Sequence, residues 1–239
     1  MIYSFSGHVR FSEIDENGKL TPYGLINYLQ DCATFHGEAA GCGFQKNREN
    51  HRAWVIASLQ LKVKRYPVFN EKITVSTWVT MIRGMIATRQ FSVENEEGEL
   101  LAAASSDWVF MDMQEMRPAR VPQEQTDAYG VYPDRALHED LGKRKIRFPD
   151  GGCLQRPITV QEYHLDINGH VNNGQYVRMA LKLVPSDWKI RRLRVEYRKQ
   201  SMLGDVLIPI VHIADSHCFV RMDSPEGEEV FLADFSRES

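Results

Sequence analysis

The sequence predicts an α+β chain made by tandem duplication, each copy holding a short strand, a turn, an apolar helix and then four strands. Two collinear internal matches carry that expectation, and a helical pattern behind each copy of the first match supports it. Asp15-Glu16-Asn17-Gly18-Lys19-Leu20 recurs as Asp166-Ile167-Asn168-Gly169-His170-Val171, an offset of 166 − 15 = 151. The stretch from Trp54 to Arg65 aligns without gaps on Trp188 to Lys199, an offset of 188 − 54 = 134. The offsets differ by 151 − 134 = 17, which puts a longer helix-to-strand connection in the first copy, around Gly41 to Arg52.

Taken in order, the first helix is expected behind Thr21-Pro22, a cap followed by a proline suited to the first helical position. Its apolar stripe is Leu25, Leu29, Cys32 and Phe35. The second helix repeats the pattern in Tyr176, Met179, Ala180 and Leu183, with Asn172 or Asn173 as cap and Pro185 where it should stop. Asn70-Glu71-Lys72 and Gly204-Asp205-Val206 both look like turns into a further strand. Phe91 to Phe110 and Phe219 to Phe235 each suggest a hairpin, around Glu97-Gly98 and Glu226-Gly227. Between the copies, Asp112 to Arg156 is irregular, with Pro118, Pro122, Pro133 and Pro149 and the basic run Lys143-Arg144-Lys145-Ile146-Arg147. That stretch is expected to pack on the surface as a linker. The expected division is residues 1–125, a linker over 126–155, and residues 156–239.

Composition narrows the function classes. Hydrophobic residues at 43% and charged residues at 26% fit an ordinary globular core. A net charge of −3 gives no global pull toward nucleic acid. Apolar stretches are short and broken by charge, so no membrane insertion is expected. The first residues, Met1 to His8, carry neither a secretion signal nor a transit peptide, and the cytoplasm is the expected compartment. Cys32, Cys42, Cys153 and Cys218 lack CxxC spacing and are expected to be free thiols, mostly buried. Met81 and Met85 are expected in the core or lining a pocket.

The two copies differ where chemistry would need them to. His170 stands where the first copy has Lys19, and Glu196 stands where it has Lys62. A histidine transfers protons near neutral pH and a carboxylate can orient it or act as base, whereas ordinary lysines cannot. Asp166, Asn168 and His170 alternate at spacing two, so an extended backbone would turn all three the same way. The helix starts directly afterwards, and its N-terminal N–H groups could hold a developing oxyanion. Such a group would suit attack of water on an acyl carbon. A purely structural Asn-Gly turn stands beside this reading. So does a metal site from His164, Asp166 and His170, although no fourth ligand has diagnostic spacing. The remaining histidines, including His36 and His217, are expected at the surface or in packing.

The sequence resembles the acyl-ACP thioesterases, bacterial relatives of the plant plastid enzymes. The strings that carry the likeness are Leu165 to Val177, then Val195-Glu196-Tyr197-Arg198-Lys199, and Trp108 to Asp112 leading to Arg117 to Pro122. The likeness covers nearly the whole chain and its duplicated layout. It implies a tandem double hot-dog, each half a long helix wrapped by an antiparallel sheet. It implies hydrolysis of acyl-ACP to free fatty acid and carrier, without metal or organic cofactor. Asp166, Asn168, His170 and Glu196 are then the catalytic set, with Glu196 and His170 activating water. Asn172, Asn173, Ser201, Arg198 and Lys199 are the expected substrate-binding residues. The implied partner is acyl carrier protein bearing a fatty acyl chain, and a homodimer is allowed. The plant enzymes commonly have cysteine where this chain has Ser201, so direct attack by water is expected here. Arg191, Arg192, Arg194, Arg198 and Lys199, with Lys143, Arg144, Lys145 and Arg147, are expected to dock the acidic carrier. The first half, without the acid–base pair, is expected to house the acyl tail. Acyl-CoA as substrate, a hot-dog hydratase or dehydratase, and a non-catalytic acyl-binding module are the rival readings.

Overall fold

The structure, a computed structural model, describes residues 1–237. The chain divides into two units: Met1–Ala57 with Leu61–Leu141, and Ser58–Gln60 with Gly142–Ser239. Each unit sets a helix on a mainly antiparallel sheet, the double hot-dog arrangement expected from the sequence.

In the first unit, β1 (Tyr3–His8) precedes α1 (Pro22–Ala39). Thr21 Oγ1 accepts the Gly24 N–H at 3.0 Å and Pro22 follows the cap, so the sequence marks where this helix begins. Leu25, Leu29 and Cys32 are buried as expected. Phe35 is exposed, and His36 is buried in its place. The physical reason is the 3.6-residue period: position 36 continues the stripe of 25, 29 and 32, and position 35 falls a residue short.

The longer connection then forms α2 (Phe44–Glu49). Four long strands follow: β2 (Arg52–Val63), β3 (Lys72–Arg83), β4 (Ile86–Asn95) and β5 (Leu100–Asp112). Their order is β1-β3-β4-β5-β2, and the short β6 (Arg117–Pro118) pairs with β5. The β4–β5 hairpin turns at Gly98, whose φ of +77° suits a residue without Cβ. Val75, Phe91, Leu101 and Ala102 form its interior, and α1 packs on β1 and β3. Met81 and Met85 flank the tip of the β3–β4 hairpin and are exposed, contrary to expectation. The alternation that buries Ile73, Val75 and Val79 is broken by a register shift between Val79 and Met81.

The connecting stretch is less superficial than its composition suggests. It forms α3 (Gln123–Tyr129), and Tyr129 and Ile146 are both buried. Their aromatic and aliphatic side chains bring apolar area that packing removes from water.

In the second unit, β7 (Cys153–Leu154) and β8 (Ile158–Thr159) lead to α4 (Asn173–Leu181). Then come β9 (Ile190–Tyr197), β10 (Val206–Ala214), β11 (His217–Asp223) and β12 (Glu229–Arg237). The order is β9-β12-β11-β10-β7, and β8 pairs with β10. Tyr176, Met179 and Ala180 are buried as their spacing predicts. The second helix is only 9 residues long against 18 in the first, and Leu183 lies beyond its end in a turn. Trp188 lies just before β9 rather than in it, under the Arg237 guanidinium at 4.6 Å. No helix among the described residues is long and apolar enough to cross a membrane. Cys32, Cys42 and Cys218 are buried free thiols and Cys153 is an exposed one.

Candidate active site

The segment from Asp166 to His170 is a tight turn, not the extended stretch that its alternating polar residues suggested. Asp166 N–H donates to the His170 carbonyl at 2.7 Å, and Gly169 N–H donates to the Asp166 carbonyl at 3.0 Å. Gly169 has a φ of +78°, the left-handed conformation that the Asn-Gly signal anticipates. Asp166 Oδ1 accepts the N–H groups of Asn168 at 2.8 Å and His170 at 3.3 Å. Asp15 does the same for Asn17 and Lys19, both at 2.9 Å. The Asp-x-Asn-Gly frame is therefore a shared scaffold, and the histidine is what the second copy adds to it.

The residues around His170 come from neighbouring turns. His170 forms an isolated antiparallel bridge with Met202, and Val171 N–H donates to the Ser201 carbonyl at 2.9 Å. Ser201 is buried, whereas Asn168 is exposed. Asn172 is the helix cap: its Oδ1 accepts the Gly174 N–H at 2.8 Å and its carbonyl accepts the Gln175 N–H at 2.9 Å. That leaves Asn173 as the first residue of α4 whose N–H these cap bonds do not use. The Asn173 carbonyl in turn accepts the Tyr197 hydroxyl at 3.2 Å, which ties β9 to the helix start.

Two contributors were not singled out from sequence for these roles. His164 is buried, accepts the Gln161 N–H on Nδ1 at 3.0 Å, and receives the Asn172 N–H on its carbonyl at 2.9 Å. Burial first, then the charges of Lys182 and Arg178, lower its pKa. The repeat could have found it: 164 − 151 = 13, and Glu13 accepts the Arg10 N–H at 3.0 Å in the same way. Tyr197 is the other. Its position directly after Glu196 on a strand puts it on the opposite face.

Among the described residues, the hydrogen bonds of the Glu196 side chain go to Ile146 and Arg198, not to His170. Tyr197 meets α4, so Glu196 lies on the face of β9 away from that helix. Its Oε1 accepts the Ile146 N–H at 2.5 Å and its Oε2 accepts from Arg198 at 2.8 Å. Lys62, its counterpart in the first copy, donates to Glu139 at 2.8 Å. Both partners lie in the connecting stretch. The lysine-for-glutamate exchange thus has a structural account: each side chain holds a different part of that stretch.

Three of the nine residues expected as a basic landing strip pair with carboxylates. Arg194 pairs with Asp234 and also donates to the Lys143 carbonyl at 2.7 Å. Arg198 reaches Glu196 and, at 3.7 Å, Glu229, while Lys199 pairs with Glu228.

Known proteins match this arrangement along its length. Residues 2–129 match the family description "Acyl-ACP thioesterase N-terminal domain" and residues 151–229 match "Acyl-ACP thioesterase C-terminal domain". A chloroplastic palmitoyl-acyl carrier protein thioesterase of Gossypium hirsutum is 28% identical over 233 residues, 91% of this chain and 56% of the relative. The chloroplastic oleoyl-acyl carrier protein thioesterase 1 of Arabidopsis thaliana is 26% identical, over 83% of this chain and 60% of its own length. The chain thus spans little more than half the length of these curated relatives. The crystal structure of an acyl-ACP thioesterase from Bacteroides thetaiotaomicron superposes with a TM-score of 0.88 at 25% identity, covering 99% of this chain and 98% of that one. The 12:0-ACP thioesterase from Umbellularia californica shares the fold, with a TM-score of 0.88 at 22% identity over 99% and 97% of the two chains. With both of its domain descriptions matched in order, the chain belongs to the acyl-ACP thioesterase family.

Proposed function

We propose that the chain hydrolyses fatty acyl thioesters of acyl carrier protein, with water as nucleophile and His170 as the proton-transfer group. The observation that supports this most is the comparison of the twin turns: Asp, Asn and Gly are shared, and histidine replaces lysine in one of them. His170 takes a proton from water as the oxygen attacks the acyl carbon. The C–S bond then breaks, and the same proton passes to the departing thiolate, leaving fatty acid and carrier thiol. Asn168, exposed in the turn, and Asn173, at the start of α4, are the groups assigned to the developing oxyanion. Asp166 is a positioning residue, because its Oδ1 sets the backbone that carries His170.

Glu196 is assigned to anchoring, not to proton transfer, because both of its oxygens serve the connecting stretch and Arg198. Ser201 is assigned a backbone role, since its carbonyl fixes Val171. The first unit, with Lys19 at the twin position, is assigned the acyl tail.

Purified protein incubated with saturated acyl-ACP tests the reading, since a saturated chain offers a dehydratase nothing to act on. Free fatty acid and carrier thiol should appear in equal amounts, faster than from the matching acyl-CoA. His170→Ala should lower kcat by about 10²–10⁴-fold, while Lys19→Ala leaves it within about twofold. An unchanged rate in His170→Ala removes the histidine from the reaction.

A further inference from the structure

The two copies differ at a second pair of positions, and both are interior. In the first copy, Leu25 of α1 and Pro67 are buried, and neither side chain has a polar atom. The same offsets, 25 + 151 = 176 and 67 + 134 = 201, put Tyr176 of α4 and Ser201 there in the second copy, again buried. Two hydroxyls have thus entered an interior that the twin keeps apolar, in the copy that carries His170.

The backbone around these positions is otherwise the same. Val171 N–H donates to the Ser201 carbonyl at 2.9 Å, as Leu20 N–H donates to the Pro67 carbonyl at 2.8 Å. His170 bridges to Met202 as Lys19 bridges to Val68. The Ser201–Met202 segment is therefore the support of the His170–Val171 backbone, and whatever holds Ser201 also holds the histidine.

Tyr176 is placed to hold it. Its ring stacks on Phe231 of β12, 5.4 Å between centres, and meets the Tyr197 ring of β9 at 6.2 Å, so helix and sheet fix the side chain. Its hydroxyl oxygen is buried and faces Ser201: burial raises the pKa of the hydroxyl, and the side chain and backbone of Ser201 oppose that rise. No regular hydrogen bond satisfies the oxygen among the described residues. Buried hydroxyls normally find a partner, and hydrogen bonds of a catalytic site are often loose in the free protein and tighten with substrate. We infer that Tyr176 is a positioning residue of the hydrolysis, whose hydroxyl holds Ser201 and thereby fixes where His170 stands. The inference rests on the assignment of His170 made above.

Turnover of saturated acyl-ACP by the full chain tests it, in Tyr176→Phe, Ser201→Ala and the double variant, each assayed well below its own Tm. Tyr176→Phe keeps the ring and its stacking and removes only the oxygen. It should lower kcat by about 10–10²-fold with KM within about twofold, whereas a merely structural loss lowers Tm and leaves kcat of the folded protein alone. Ser201→Ala should lower kcat likewise, and the double variant should be no worse than the poorer single, since both singles break one contact. Wild-type kcat in Tyr176→Phe, or losses that multiply in the double variant, overturn the inference and leave the hydrolysis reading intact. A His170→Ala variant as active as wild type overturns both. Should Tyr176→Phe fail to fold, Ser201→Ala decides alone, with wild-type kcat as the overturning result.

Discussion

Lys62 and Glu196, at the same place in the two repeats, both fasten the stretch that connects the units, one through Glu139 and the other through the Ile146 N–H. Opposite charges do equivalent jobs because the partners differ: a carboxylate in one case and a backbone donor in the other. Lys64 joins Lys62 on Glu139 at 2.6 Å, and together these lysines hold the Glu139 carboxyl below its usual range.

Glu196→Ala should therefore behave as an anchoring loss. It strips a buried-segment N–H of its acceptor, at about 1–3 kcal/mol, which lowers Tm by roughly 3–10 °C. Proteolysis between Gly142 and Phe148 should speed up while kcat stays within about tenfold. A large fall in kcat with an unshifted Tm would instead restore the catalytic role read from sequence.

Paired substitutions separate scaffold from chemistry at the twin turns. Asp15→Ala and Asp166→Ala each remove the acceptor of two backbone N–H groups, so both should cost about 1–2 kcal/mol of stability. Only Asp166→Ala should also reduce turnover, since only that turn carries a histidine. Equal activity in the two variants would contradict the assignment.

Thiol labelling should resolve one fast cysteine and three slow ones in the native protein. Burial pushes the Cys32 thiol up to about 12 and Cys218 up to about 11, and raises Cys42, so few thiolates form there. Cys153 is exposed and should react first. Mass spectrometry after a short pulse of alkylating reagent identifies the labelled site.

Acid should weaken the fold before the carboxylates titrate. The pKa values of His36 and His164 are both lowered by folding, His36 to about 3. Between the unfolded value near 6.5 and the folded one, the unfolded chain binds protons that the native chain refuses, so stability falls as pH falls through that range. Tm should drop from pH 7 to pH 5, and His36→Gln should flatten the slope. A wild-type Tm that is constant over that interval would contradict the neutral, buried state of both rings.

Much of this architecture was legible in the residues. Thr21 and Asn172 were readable as caps because a helix start leaves donors that short polar side chains satisfy. The hairpins at Gly98 and Gly227 were readable because a positive φ favours glycine there. The contacts of Glu196 were not. Comparing repeats shows that a charge changed sign, but not which face of the strand it occupies or what it meets 50 residues earlier in the chain. Asp166 misled for a related reason: spacing two signals a shared side only if the backbone is extended, and Gly169 bends it. The brevity of α4 was hidden too, since Leu183 keeps the helical rhythm after the helix has ended.

The burial of Ile146 bears on how the C-terminal half could be excised. The family's C-terminal domain description begins at residue 151. A fragment cut there would discard an aliphatic plug that is 2% exposed and strand the Glu196 carboxylate beside bare apolar surface. A soluble half-protein would have to start upstream, near Gly142, so the practical border for dissection lies inside what looks like tether.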